Sequence, residues 1–185
     1  MDKIRNKNVV IIGNGTSLIG KKCGKLIDTF DVVVRFNKYE LNEKWYEDLG
    51  SKIDVTVYGF GNIKRIKNIV KNDESIKFIS SSQKTKQEIK KCLKYKNETT
   101  FHYIDNIIHN EIHSEINCQD EYRLSNGILM IMLCLKYNNK VTICNFDHSN
   151  KHYYKWKSNH THHHNWNFER QIIYDYVNKG LIVKI

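Results

Sequence analysis

The chain has 185 residues, of which 40% are hydrophobic, so it can bury the core of one domain and is too short for several. Its 30 Lys and Arg residues exceed its 20 Asp and Glu residues and give a formal net charge of +10. This charge favours an anionic partner, such as a nucleotide sugar, a nucleic acid or an acidic headgroup, and does not choose among them.

Strands and helices alternate along the predicted chain. The first strand is a β-branched run, Val9 to Ile12, which ends in the glycine turn Gly13-Asn14-Gly15. In chain order we predict a strand at 9–12, a helix at 18–27, strands at 32–34 and 55–58, a helix at 63–70, a strand at 76–79, a helix at 87–95, an ambiguous segment at 104–116 that favours helix, a helix at 128–135, a strand at 141–144, a helix at 168–177 and a strand at 181–185. This alternation predicts an α/β fold, a Rossmann-like sandwich with a mainly parallel central sheet flanked by helices.

The chain contains no proline, and neither a linker nor a repeat divides it, so we predict one domain over residues 1–185. The apolar run at 9–12 is too short for a signal sequence or a membrane span. The five cysteines are odd in number and include no CxxC pair, as expected of reduced thiols. We therefore expect a cytoplasmic protein without a transmembrane anchor.

The predicted ligand crevice lies beyond the carboxyl ends of the strands. The segments 13–17, 35–37, 125–127 and 145–148 should gather there. The glycine turn permits a close backbone approach, and the N–H groups of the helix that follows would face an anion. Two other interpretations are open at this point. Thr16 and Ser17 can simply cap that helix, and Arg35 can be a structural ion-pair partner.

The sequence of residues 9–37 is VVIIGNGTSLIGKKCGKLIDTFDVVVRFN. This segment resembles the long sialyl motif of the family 29 sialyltransferases, which has a strand, a loop with Gly-Asn, then G-x-x-I-D and D-V-V-x-R-x-N. The continuation at 46–52 resembles the D-V-G-S-K segment that follows in that family.

Three further motifs follow in the family's order. Residues 125–127, Ser-Asn-Gly before an apolar helix, resemble the short sialyl motif, with Asn126 in place of the usual threonine. Residues 152–154, His-Tyr-Tyr, resemble the third motif, and His164 with Glu169 fits the very short motif, His-x4-Glu. The resemblance implies a short soluble member of the family with the GT-A-like variant of the fold that sialyltransferases have.

The resemblance also implies an activity. It is inverting transfer of sialic acid, or of a related acidic sugar such as Kdo, from a CMP-activated donor to a hydroxyl of a glycan or glycolipid. His164 would be the catalytic base, because an imidazole titrates near neutral pH, and His152 would contact the phosphate of the departing CMP. The residues that would contact the donor are Asn14, Gly15, Thr16, Ser17, Arg35, Asn37, Ser125, Asn126, Gly127 and Tyr153. Glu169 would orient or cap the last helix.

Family 29 enzymes need no metal, so we expect no metal and no other cofactor. The histidine cluster formed by His160 and residues 162–164 could hold zinc or copper, but no cysteine pair or carboxylate accompanies it. Animal members link the two large motifs by a disulfide. Here Asn8 and Val9 stand where its first cysteine would be, which agrees with reduced thiols.

Three alternatives remain open. A family 42 sialyltransferase has a similar strand–Gly-Asn-Gly opening, although G-x-x-I-D and His-x4-Glu favour family 29. A catalytically inactive nucleotide-binding relative would keep the motifs without the transfer. A basic nucleic-acid-binding protein would account for the charge and the eleven tyrosines. However, no RNP-like, KH-like or zinc-finger pattern accompanies them, and we expect no nucleic-acid partner.

Overall fold

The computed structural model describes residues 4–36, 42–58, 76–80, 101–104, 106–118, 123–137, 139–147, 152–154 and 164–185. Seven strands in these ranges form one sheet: β1 Asn8–Ile12, β2 Val32–Phe36, β3 Val55–Tyr58, β4 Ile76–Ser80, β5 Phe101–Ile104, β6 Lys140–Cys144 and β7 Ile182–Lys184. Their order is β5-β4-β3-β2-β1-β6-β7, and every neighbouring pair is parallel. The predicted α/β fold with a mainly parallel sheet is confirmed.

Five helices lie in the described ranges: α1 Gly24–Asp28, α2 Glu43–Leu49, α3 Asn106–Glu115, α4 Asn126–Lys136 and α5 Trp166–Asn178. The helices predicted at 63–70 and 87–95 lie outside the described residues. No helix within the described ranges is long and apolar enough to cross a membrane.

Both faces of the sheet are covered, because apolar side chains point alternately to each side of the β-branched strands. In β1, Val9 and Ile11 belong to one core cluster with α3, α4 and α5, whereas Val10 and Ile12 belong to a second cluster with α1 and α2. Helix α4 is buried continuously from Gly127 to Cys134, as expected of a helix that is apolar on all sides.

The predicted helix at 18–27 is wrong over its first half. Gly20 and Lys22 have positive φ angles of 78° and 55°, so the chain cannot continue a right-handed helix there. The carboxylate of Asp48 accepts from the N–H groups of both residues at 2.8 and 2.9 Å and holds this non-helical turn. The helix therefore begins only at Gly24.

The sequence did not predict helix α2 or most of strand β5, and the predicted segment 104–116 was divided incorrectly. Helix α2 buries only Leu49, so it shows little apolar periodicity. The segment 104–116 contains the end of strand β5 at Ile104, followed by helix α3.

The order of the strands locates a crevice. The chain adds strands outward from β1 to β5, and then returns to place β6 on the other side of β1. In an open parallel sheet, such a reversal separates the connections at the carboxyl ends of the two strands and leaves room for a ligand. In this sheet the reversal, and hence the expected crevice, lies between β1 and β6.

Candidate functional site

The loops that follow β1 and β6 are in direct backbone contact. The N–H of Gly13 donates to the carbonyl of Cys144 at 2.8 Å, and that of Gly15 donates to the carbonyl of Asn145 at 3.0 Å. A Cβ atom would lie 2.4 Å from the Asn145 carbonyl oxygen at Gly13 and 2.5 Å from it at Gly15. The two glycines are therefore needed because the loops approach so closely.

Two side chains of the β6 loop bind the backbone of the β1 loop. Asp147 Oδ2 accepts from the N–H groups of Thr16 and Ser17, the latter at 2.9 Å, and from the hydroxyl of Thr16. Asn145 Oδ1 accepts from the N–H of Leu18 at 2.8 Å. The anion that these N–H groups were predicted to bind is thus, in this structure, the carboxylate of Asp147. No helix follows directly, so the alternative that Thr16 and Ser17 act as helix caps is wrong.

Asn14 joins three segments at the same edge. Its Nδ2 donates to the carbonyl of Phe36 at the end of β2, at 3.3 Å. Its carbonyl accepts from the N–H of Tyr153 at 3.1 Å. Asn14 therefore contacts both the end of β2 and the 152–154 motif, whereas Asn37 lies outside the described residues.

Arg35 has a structural role. It is 1% exposed, and its guanidinium donates to the carbonyls of Leu49, Gly50 and Lys52 at 2.7–3.2 Å. These bonds satisfy the carbonyls at the end of α2 and tie that end to β2. We therefore do not retain the predicted donor contact for Arg35.

The 152–154 motif packs through its aromatic rings. Tyr153 is buried, and its ring meets that of Trp45 edge-on at 5.4 Å between centroids. The rings of His152 and Tyr154 lie 5.3 Å apart, and both residues are half-buried. Tyr153 is thus part of the core beneath the site, with His152 nearer the surface.

A second cluster is built around the start of α4. Ser125 is the N-cap, with extended backbone angles, and its Oγ accepts from the N–H of Ile128 at 3.4 Å. Ser125 also donates twice to Glu169 on α5, from its N–H at 2.7 Å and from its hydroxyl at 2.6 Å. Both donors of Ser125 are therefore used inside the protein.

Glu169 is buried, with 1% of its surface exposed. Burial disfavours the charged form and raises the pKa of this carboxyl to about 7, although the two bonds from Ser125 oppose the rise. The expectation that Glu169 orients or caps the last helix needs correction, because its carboxylate binds the N-cap of α4. The cap of α5 itself is Asn165, whose Oδ1 accepts from the N–H of Phe168.

His164 is held next to the same segment. Its Nδ1 lies 2.6 Å from the carbonyl oxygen of Arg123, two residues before Ser125. A carbonyl oxygen can only accept, so Nδ1 carries a proton and, in the neutral ring, Nε2 carries the lone pair. This arrangement gives the imidazole the tautomer and the fixed orientation that a general base requires.

Phe146 joins the two clusters. A Cβ on Gly127 would lie 2.6 Å from Cε1 of the Phe146 ring, and a Cβ on Gly13 would lie 3.3 Å from Cδ2 of the same ring. The ring also meets Phe36 edge-on, with centroids 6.3 Å apart. The aromatic side chain therefore fills the space that two glycines leave, and fixes the start of α4 against the β1 loop.

The predicted crevice included residues 145–148, but the sequence did not show which partners Asn145, Phe146 and Asp147 would bind. Trp45 was not predicted as part of this site. Among the described residues, no group of three or more His, Cys, Asp or Glu side chains could hold a metal ion. Residues 160, 162 and 163 of the histidine cluster lie outside those ranges.

Comparison with known proteins bears directly on this arrangement. The sequence model of glycosyltransferase family 29 (sialyltransferase) matches residues 1–88. The match covers just under half of the chain, so residues 1–88 are similar to glycosyltransferase family 29. The match contains the long motif at 9–37, whereas the Ser125, His152 and His164 motifs lie beyond it. No curated protein sequence matches the chain.

Solved structures share the fold of this chain along almost its whole length. A crystal structure of a mammalian sialyltransferase has a TM-score of 0.70 and 16% identity, covering 97% of this chain and 69% of the other. A second, of a mammalian sialyltransferase in complex with Gal-beta-1-3GalNAc-ortho-nitrophenol, has a TM-score of 0.73 and 17% identity with the same coverage. The predicted sialyltransferase fold is therefore confirmed.

Proposed function

We propose that this chain transfers sialic acid, or a related acidic sugar such as Kdo, from a CMP-activated donor to a hydroxyl of a glycan or glycolipid, with inversion. The family match and the shared fold support this proposal. The observation that carries it is the 2.6 Å contact between His164 Nδ1 and the carbonyl of Arg123.

That contact suits the chemistry because the attacking hydroxyl must lose a proton as it bonds to the sugar. His164 Nε2 carries the lone pair that would accept this proton, and the Arg123 carbonyl keeps the ring from rotating or changing tautomer. A carboxylate often orients a histidine base in this way; here a backbone carbonyl has that position.

The donor half of the site would use the segments around the β1–β6 crevice. The N–H groups of Asn126 and Gly127 open helix α4 and are suited to a carboxylate or phosphate. Asn14 and Gly15 would meet the nucleotide, and His152 would donate to the phosphate that leaves with CMP. Thr16, Ser17 and Ser125 contribute mainly by shaping these loops, since their N–H groups bind Asp147 and Glu169.

We propose that no metal takes part, because N–H groups and a protonated histidine can stabilise the charge of the departing phosphate. The test is to measure CMP release from CMP-sialic acid and CMP-Kdo with glycan and glycolipid acceptors, with and without EDTA. Transfer that depends on an acceptor and survives EDTA is the expected result. A chain that binds CMP but transfers neither sugar would be the inactive nucleotide-binding relative. Absence of both binding and transfer would overturn the proposal.

A further inference from the structure

The side-chain amide of Asn145 is used at one end only. Its Oδ1 accepts from the N–H of Leu18 at 2.8 Å and from the hydroxyl of Ser17 at 3.2 Å. A backbone N–H can only donate, so the contact with Leu18 decides which end of the amide is the oxygen. The other end, Nδ2, is buried and finds no acceptor in the part of the chain that the structure describes. A buried N–H₂ group without a bond is destabilising, which indicates that its acceptor comes from outside these residues.

Asn139 shows the same side chain with both ends used. Its Oδ1 accepts from the N–H of Lys7 at 2.8 Å, and its Nδ2 donates to the carbonyl of Cys134 at 2.9 Å. Asn139 and Asn145 are 7% and 2% exposed, and they lie at opposite ends of β6. Asn145 is the one at the carboxyl end, where ligands bind to open parallel sheets. The unused donor therefore lies at the edge of the sheet that contains the crevice.

Asn145 also lies against the glycine turn that was assigned to the nucleotide. Its carbonyl accepts from the N–H of Gly15 at 3.0 Å. Its φ angle is 57°, in the left-handed region that asparagine adopts more readily than most residues. Nε1 of Trp45 is a second buried donor without an acceptor among the described residues, and the Trp45 ring packs against Tyr153 at the same edge. Two donors without acceptors therefore lie beside the loops of the β1–β6 crevice.

The chemistry of the unused group restricts what it can bind. An amide N–H₂ offers two hydrogens and no lone pair, so its partner must be an acceptor. In cytosine the ring atom N3 is an acceptor, with the O2 acceptor next to it. In uracil N3 carries a hydrogen and would face the amide hydrogens. A donor held in one orientation therefore favours cytosine and opposes uracil.

We infer that Asn145 is a specificity-determining residue whose Nδ2 donates to N3 of the cytosine ring when the nucleotide binds between the β1 and β6 loops. The inference rests on the proposed function in taking a CMP-activated sugar as the ligand. Nδ2 is covered in this structure, so the side chains over it shift as the base enters. The bond that Nδ2 lacks within the protein is then formed with the ligand.

The test is calorimetric binding of CMP and UMP to the wild type, to Asn145→Asp and to the control Asn139→Asp. Aspartate keeps an oxygen for Leu18 and tolerates the positive φ, but it replaces the donor by an acceptor that suits the N3–H of uracil. The ratio of CMP affinity to UMP affinity should fall roughly tenfold or more in Asn145→Asp and should keep its wild-type value in the control. The added negative charge weakens the binding of both nucleotides alike and cancels in the ratio. An unchanged ratio in a folded Asn145→Asp would overturn the inference, with a buried water as the partner of Nδ2.

A second measurement uses the wild type alone, so it does not depend on the folding of a variant. In 3-deaza-CMP a C–H group replaces N3 of the base. This nucleotide should bind roughly tenfold more weakly than CMP, because the acceptor for Nδ2 is missing. Equal affinity for the two nucleotides would overturn the inference.

The outcomes separate this inference from the proposed function. If CMP binds and the ratio shifts in Asn145→Asp, but no sugar is transferred, the proposed function fails and the assignment of Asn145 stands. If sugar is transferred from a CMP-activated donor while the ratio is unchanged, the proposed function stands and the assignment of Asn145 fails. A wild type that binds neither nucleotide overturns both.

Discussion

Asp147 and Glu169 perform the same task in two regions of the molecule, and they differ in burial. Asp147, which is half-buried, accepts from the N–H groups of Thr16 and Ser17 in the loop after β1. Glu169, which is 1% exposed, accepts from the N–H and hydroxyl of Ser125 at the start of α4. Each carboxylate binds donors that were predicted to meet a ligand. The comparison assigns the β1 loop to the fixed scaffold, whereas the carboxyl group at the start of α4 has a pKa that burial raises to about 7.

The largest effect is expected for His164, which contacts the segment just before the start of α4. Replacing His164 by Ala should lower turnover by roughly 10²–10⁴-fold, because the proton acceptor is lost, and should leave CMP affinity nearly unchanged. His113→Ala on α3 is the matched control and should behave like the wild type. Initial rates and calorimetric binding of both variants check this. Unchanged turnover in His164→Ala would remove His164 as the base.

Replacing one glycine in each region by alanine should show which region tolerates an added methyl group better, as measured by the free energy of unfolding. In Gly15→Ala the new Cβ would lie 2.5 Å from the backbone carbonyl oxygen of Asn145, which cannot move aside. In Gly127→Ala it would meet the edge of the Phe146 ring, which can rotate or shift. We expect a loss of about 3 kcal/mol in the free energy of unfolding for Gly15→Ala and about 1–2 kcal/mol for Gly127→Ala. Urea denaturation measures both, and the reverse order would contradict the comparison.

Burial of Glu169 should also appear in the pH dependence of stability. The folded chain keeps this proton up to about pH 7, whereas the unfolded chain releases it near the ordinary value of 4.5. The stabilisation is therefore complete below about pH 4.5 and is lost as the pH rises through about 7, by about 3 kcal/mol at most. The difference between the wild type and Glu169→Gln in urea denaturation from pH 4 to pH 8 isolates this effect. A constant difference over that range would show that Glu169 is not shifted.

The smallest effect is expected from Asp147→Asn. The amide keeps an oxygen that can accept from Thr16 and Ser17, but it loses the charge, so we expect a loss of about 1–2 kcal/mol in the free energy of unfolding. Asp175→Asn on α5, where the carboxylate accepts only from the side chain of Gln171 in the described structure, is the control. If Asp147→Asn instead binds CMP more tightly, Asp147 competes with the ligand and the β1 loop is not fixed scaffold.

Much of the fold could be predicted because its signals are local. Val9 to Ile12 and Val32 to Val34 are β-branched runs, and the apolar run after Ser125 is unmistakable as a buried helix. The turn at Gly20 and Lys22 could not be predicted, because Asp48 holds it from a later part of the chain. The spacing of apolar residues within 18–27 does not indicate that contact.

The site shows the same difference between local sequence signals, which could be predicted, and long-range contacts, which could not. The motif residues Asn14, Ser125 and His164 could be named from short patterns, but their partners are distant in sequence. Asp147 binds a loop about 130 residues earlier, and Glu169 binds Ser125, 44 residues earlier. Short motifs show which segments matter, whereas the hydrogen bonds that decide which donors face a ligand are formed only in the folded chain.

The most direct test of the account is calorimetric titration of the chain with CMP, UMP, AMP and a short RNA under the same conditions. We expect CMP to bind and UMP, AMP and the RNA to bind much more weakly. Binding of the RNA in preference to CMP, or no binding of CMP at all, would contradict the assignment of the β1–β6 crevice as a CMP-sugar site.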